Sequence, residues 1–120
     1  MRSGGCFCGA IRYEVGDAEY PTANCHCTMC RRTSGAPFVT WFVVPNAEFR
    51  YTRGEVTLLE SSNQGKRYFC NQCGTPIACI TSVHPDVVDI TLGSLDEPEA
   101  LTPKFEVFTE TQLPWVHALE

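Results

Sequence analysis

Apolar and polar positions alternate along most of this chain in short runs. From Ala10 to Val15, Ile11, Tyr13 and Val15 fall on one side and Arg12 and Glu14 on the other, the two-residue period of a half-buried strand. Phe38 to Val44 is apolar and rich in β-branched and aromatic residues, and Pro45-Asn46 ends it. Further strands are predicted over Ala47 to Tyr51, Val56 to Ser61, Lys66 to Cys70, Ile77 to Thr81, Val87 to Leu92 and Lys104 to Thr109. Turn signals at Arg53-Gly54, Asn63-Gln64-Gly65, His84-Pro85-Asp86 and Asp96-Glu97-Pro98 separate them. No long amphipathic helix is visible, and at most one helical turn follows Cys30, through Arg31-Arg32-Thr33. The pattern predicts a mainly β fold, a sandwich or distorted barrel of short antiparallel strands.

A length of 120 residues predicts one domain spanning 1–120, in which any functional site shares residues with the scaffold. With 43% hydrophobic and 19% charged residues, the composition is that of a globular chain. A formal charge of −5 argues against a phosphate-tracking surface, so nucleic acid is not an expected partner. No apolar run approaches the roughly 18 residues of a membrane span, and the opening Met1-Arg2-Ser3-Gly4-Gly5 has no apolar stretch resembling a signal peptide. A cytoplasmic protein is expected.

The eight cysteines change the picture most. Their short clustered spacings, in a chain read as cytosolic, favour a thiophilic metal over disulfides. A redox reading of the Cys-x-x-Cys pairs calls for a helix after the motif, whereas Cys73 is followed by Gly74-Thr75-Pro76. In an extended segment Cys6 and Cys8 face one way and Phe7 the other. With the knuckle Cys70-Asn71-Gln72-Cys73 they supply four thiolates, the full set of a closed structural zinc. Such a site contributes roughly 10 to 16 kcal/mol at neutral pH, comparable to the stability of a whole domain.

Cys25, Cys27 and Cys30 offer three thiolates within one short segment, the pattern of a catalytic zinc with an exchangeable fourth position. Three thiolates leave a divalent cation with a single surplus negative charge and more able to accept an incoming thiolate. Cys79 as a fourth ligand would close that site. It lies in the apolar run Ile77-Ala78-Cys79-Ile80, however, where a buried inert thiol is the commoner state. His26, between two metal-facing cysteines, is directed away and is expected to support the ligands or line a pocket.

These motifs resemble the glutathione-dependent formaldehyde-activating enzyme family, which includes centromere protein V-like domains. The similarity rests on Gly5-Cys6-Phe7-Cys8-Gly9, on Cys25-His26-Cys27-Thr28-Met29-Cys30-Arg31-Arg32 with Ser34-Gly35-Ala36-Pro37-Phe38, and on Phe69-Cys70-Asn71-Gln72-Cys73-Gly74-Thr75. Gly93-Ser94-Leu95-Asp96 and Leu113-Pro114-Trp115 add to it. The resemblance implies a zinc-bearing fold of small tent-like sheets with two zinc ions per chain. Cys6, Cys8, Cys70 and Cys73 would hold the structural ion, and Cys25, Cys27 and Cys30 the functional one. It further implies a carbon-sulfur lyase acting on a small-thiol adduct such as S-hydroxymethylglutathione, with glutathione as partner and a homodimer as an open possibility. Members often carry a histidine in the segment that here reads Lys104-Phe105-Glu106-Val107.

His26, Arg31 and Arg32 are the candidate substrate contacts, the arginines through the carboxylates of a glutathione-like ligand. Trp41, Phe38 and Phe42 are expected in the core or a cleft wall, and Trp115 as a buried anchor. His84 and His117 read as surface residues, and Gly9 and Gly74 as turn glycines. Two other readings compete with an enzyme. One is a non-catalytic zinc-binding interaction module, which a fourth protein ligand at the second site would favour. The other is a zinc or redox switch.

Overall fold

In the computed structural model, which describes residues 1–117, the alternating runs become ten strands and one helix. In chain order they are β1 (Arg2–Gly5), β2 (Arg12–Val15), β3 (Thr22–Cys25), α1 (Thr28–Ser34), β4 (Val39–Pro45), β5 (Phe49–Arg53), β6 (Thr57–Glu60), β7 (Gly65–Phe69), β8 (Pro76–Thr81), β9 (Val87–Thr91) and β10 (Phe105–Val107). One sheet has the order β1-β2-β5; the other runs β10-β3-β4-β9-β8-β7-β6. The mainly β class read from the sequence is therefore the observed one. All strand pairs within these sheets are antiparallel except β10 with β3, which is parallel.

The two-residue period decides which face each side chain takes. On β2, Tyr13 and Val15 are fully buried while Arg12 and Glu14 face outward and pair with Asp96 and Arg50. On β4 both faces are covered, which is why its sequence is apolar at nearly every position. Phe42 and Val44 join the main core with Ile77, Val88 and Ile90, whereas Val39 and Trp41 belong to a second cluster with Cys25, Cys30 and Cys79. The large sheet thus has a core face and a cysteine face. Across the latter, Arg67, Cys79 and Asp89 sit opposite one another on β7, β8 and β9.

β1 and β3 have no strand signal in the sequence, for two different reasons. In β1, Gly4 and Gly5 are required by close packing: a Cβ would lie 2.4 Å from the Tyr13 hydroxyl at Gly4 and 2.2 Å from the Ile11 carbonyl oxygen at Gly5. In β3, Thr22 and Asn24 are polar yet buried, because each has internal partners. The helix is also longer than the single turn expected after Cys30. It begins at Thr28 and ends at Gly35, whose left-handed φ of 71° places its N–H on the Arg31 carbonyl.

Asp89 is a half-buried carboxyl on the cysteine face. Burial pushes its carboxyl up from 3.8 to about 6. A carboxyl with a raised folded pKa leaves stability intact below its unfolded value and erodes it as pH rises through the folded one. Asp89→Asn is therefore expected to raise the melting temperature, and to do so more at pH 8 than at pH 5, by about 1 kcal/mol. Thermal melts at the two pH values check this. An equal shift at both would remove titration as the cause.

Candidate metal centres

Cys6 follows β1 and Cys70 follows β7, and each opens a tight turn closed by a glycine. The Gly9 N–H donates to the Cys6 carbonyl at 3.2 Å and the Gly74 N–H to the Cys70 carbonyl at 2.8 Å. Both glycines have left-handed φ, 81° and 83°, which glycine adopts at no steric cost. The Cys6-Phe7-Cys8 segment is thus a turn and not the extended segment expected; Phe7 still points away, 95% exposed. The sulfurs of Cys6, Cys8, Cys70 and Cys73 lie within 4.8 Å of one another, with Cys6–Cys8 at 3.6 Å and Cys8–Cys70 at 3.8 Å. A tetrahedral zinc with bonds of about 2.3 Å requires sulfurs about 3.8 Å apart. The donors fit the ion.

Hydrogen bonds favour the thiolate form of two of these sulfurs, Cys6 and Cys73. The Ile11 N–H donates to Cys6 Sγ at 3.2 Å, and the Thr75 hydroxyl lies 3.2 Å from Cys73 Sγ. The Thr75 hydroxyl and N–H, with the Cys8 N–H, bring Cys73 down to about 5 from 9.0. Thr75 also accepts from the Phe7 N–H at 3.1 Å, which joins the two turns directly.

The second cluster is built by a strand end and a helix start. Cys25 closes β3, paired with Val39 on one side and Val107 on the other. Cys27 is the N-cap of α1: its sulfur accepts the Cys30 N–H at 3.2 Å. The spacing of three between these cysteines is therefore that of a capping residue and the third helical position. The three sulfurs lie within 4.8 Å of one another, and the Cys30 thiol and Cys25 sulfur are 3.3 Å apart. Among the described residues no fourth Cys, His, Asp or Glu joins the group. Cys79 packs against Cys25 and Cys30, yet its thiol is pushed up to about 11 by burial, the state of a packed thiol. Cys30 moves the other way, to about 5, because of its hydrogen bond with the Cys25 side chain and the Arg67 guanidinium beside it.

Arg67 reaches this cluster from β7, with Nη2 at 3.5 Å from Cys30 Sγ. No local sequence pattern indicated it, since it lies 37 positions from Cys30. Glu106 is the other residue whose role was hidden. It accepts the Asn24 amide at 2.8 Å and meets His26 Nε2 at 2.6 Å, while Asn24 in turn accepts the Thr40 hydroxyl at 2.6 Å. His26 is also held through its backbone, its N–H on the Val107 carbonyl at 3.0 Å and its carbonyl on the Thr111 hydroxyl at 2.8 Å. The ring is wholly buried and packs near Phe38.

The other expected substrate contacts stand on the far side of α1. Arg31 is half-buried and Arg32 exposed, and both line a groove of about 420 Å3 with Leu113 and Trp115. Trp115 is 65% exposed and forms the wall of that groove, not the buried anchor expected. His84 and His117 are exposed, as expected. A larger cleft, of about 570 Å3, runs between the four-cysteine turns and β4, where the Arg12–Asp96 pair lies.

A mainly β scaffold with a four-thiolate cluster and a three-thiolate cluster defines a protein able to hold soft metal ions at two unequal sites. The chain belongs to the glutathione-dependent formaldehyde-activating enzyme family, whose model matches residues 1–111. A curated Halomonas elongata protein provisionally named glutathione-dependent formaldehyde-activating enzyme is 24% identical over 125 residues, which cover 97% of this chain and 80% of that protein. A crystal structure of a Rhodobacter sphaeroides protein superposes with a TM-score of 0.64 at 28% identity, covering 78% of this chain and 87% of the other.

Two measurements test the division between the clusters. Cys27→Ala is expected to lower bound zinc from about two ions per chain to one with the fold retained, and Cys70→Ala to unfold the protein. Metal analysis and thermal melts read both, and equal unfolding would refute the division. Glu106→Gln is expected to weaken metal binding at the three-cysteine cluster by about 10- to 100-fold while leaving the other unchanged. Cobalt titration, read by the thiolate charge-transfer band, measures each site.

Proposed function

We propose that this chain is a cytoplasmic, zinc-dependent carbon-sulfur lyase acting on a small-thiol adduct such as S-hydroxymethylglutathione, at Cys25, Cys27 and Cys30. In the breakdown direction the carbon-sulfur bond breaks, its electron pair stays on sulfur, and the hydroxyl proton is lost as the carbonyl of formaldehyde forms. The observation that carries this reading is the inequality of the two clusters: four convergent sulfurs in one, three in the other, with an arginine and a cavity beside the three. Bound zinc would supply a fourth position that takes a thiolate and lowers its pKa. The chain's own residues supply the rest. Arg67 favours the thiolate form of Cys30. The Glu106–His26 pair and the N-cap of α1 fix the directions of Cys25 and Cys27, and Trp41 packs over Cys25 and Cys30 away from water. Family membership supports a glutathione-related substrate.

Exchange between formaldehyde, glutathione and their adduct, followed by NMR on the zinc-loaded protein, tests the proposal. We expect acceleration over the uncatalysed exchange that disappears in Cys27→Ala. If the loaded protein neither accelerates exchange nor binds a low-molecular-weight thiol, the enzyme reading is refuted and a structural role for both metals takes its place.

A further inference from the structure

A cavity of about 290 Å3 lies beside the three-cysteine cluster, joined to it through two lining residues, Trp41 and Arg67, that also touch the cysteines; Arg67 is the charged residue of its lining. Trp41 forms the shared wall: it packs with Cys25 and Cys30, and the Arg67 guanidinium stands 5.9 Å from its ring centroid. Leu59, Phe69 and Pro76 make the other walls largely apolar. Arg67 is fixed there by Nη2 on Cys30 Sγ at 3.5 Å and Nη1 on the Thr33 hydroxyl at 3.3 Å. A guanidinium has five N–H donors in one plane. These two bonds leave donors unused, and Nε–H is both out of contact with solvent and without a partner. Unpaired donors among apolar walls are costly until an acceptor arrives, and the acceptor that matches a guanidinium edge is a flat anion.

The other cationic sites lack this combination. In the larger cleft Arg12 is already joined to Asp96 by two hydrogen bonds. In the groove containing Arg31 and Arg32, Arg31 Nε is likewise buried without a partner, but the groove is open to water, where charge is screened, and none of the three cysteines borders it. We infer that the Arg67 cavity selects thiols bearing a carboxylate, holding the acid group on the guanidinium while the sulfur meets the three-cysteine centre. This rests on the function proposed above and specifies its substrate class. The sign of the selectivity is diagnostic. Beside a cluster of thiolates a carboxylate is repelled, so a preference for the acid requires a compensating cation at that place.

The test is calorimetric titration of the zinc-loaded protein with 3-mercaptopropionate and with uncharged 3-mercaptopropanol. In the wild type the acid is expected to bind at least about tenfold more tightly than the alcohol. Arg67→Met is expected to abolish or reverse that preference, read as the ratio of the two affinities because the substitution also removes the cation beside Cys30. Arg67→Lys, which keeps the charge but loses the planar fork, is expected to retain only part of it. Zinc content and melting temperature are measured on both variants, and Arg67→Lys carries the test if Arg67→Met loses its metal. Equal affinities in the wild type, or a preference undiminished in the variants, overturn the role of Arg67 and leave the lyase reading standing. Failure of the wild type to bind either thiol overturns both.

Discussion

Four sulfur atoms must share a space in which they lie within 4.8 Å of one another, and they come from two separate turns, the β1–β2 connection and the β7–β8 hairpin. Four thiolates cannot occupy that space without a cation, because their mutual repulsion would force protons back onto most of them. The corner is therefore a joint whose closure depends on charge. What it joins matters for the other centre: β7 carries Arg67 and β8 carries Cys79, so the placement of both against Cys30 depends on where the joint holds the hairpin. The Thr75 hydroxyl, bonded to Cys73 and to the Phe7 backbone, is the neutral part of the same fastening.

The large sheet then divides the labour between its faces. Phe42, Val44, Val88 and Ile90 fill the core side, and Val39, Trp41, Cys79 and Arg67 lie toward the three-cysteine cluster. Because β4 serves both, its residues alternate between two kinds of burial instead of between burial and solvent. A functional cluster on such a face inherits the rigidity of strands hydrogen-bonded on both sides. The helix contributes only its first turn, where Cys27 and Cys30 are set by backbone geometry.

Much of this was legible in the sequence, and what was not has identifiable causes. The period of two on β2 placed Ile11, Tyr13 and Val15 correctly, and the cysteine spacings indicated the grouping that the sulfur positions show. β1 escaped notice because two glycines selected for close approach look like loop, and β3 because Thr22 and Asn24 are buried with partners far along the chain. Trp115 was expected inside and lies in a groove wall, since an aromatic residue carries no sign of which surface will be available to cover it. Arg67 and Glu106 could not be found by spacing at all. Each acts on the cluster through contacts 37 and 80 positions away, and only strand pairing brings them there.

The parallel pairing of β10 with β3 has a consequence for the order of assembly. Cys25, Cys27 and Cys30 are available for a soft metal as soon as a short stretch of chain has emerged, long before the strand that orients them exists. Glu106 and the Val107 carbonyl arrive some 80 residues later and fix His26 between two ligands that could already be loaded. The chain between Cys25 and Cys27 is therefore fixed only when β10 pairs with β3, so the order of the second cluster is completed by one of the most distant contacts in the chain.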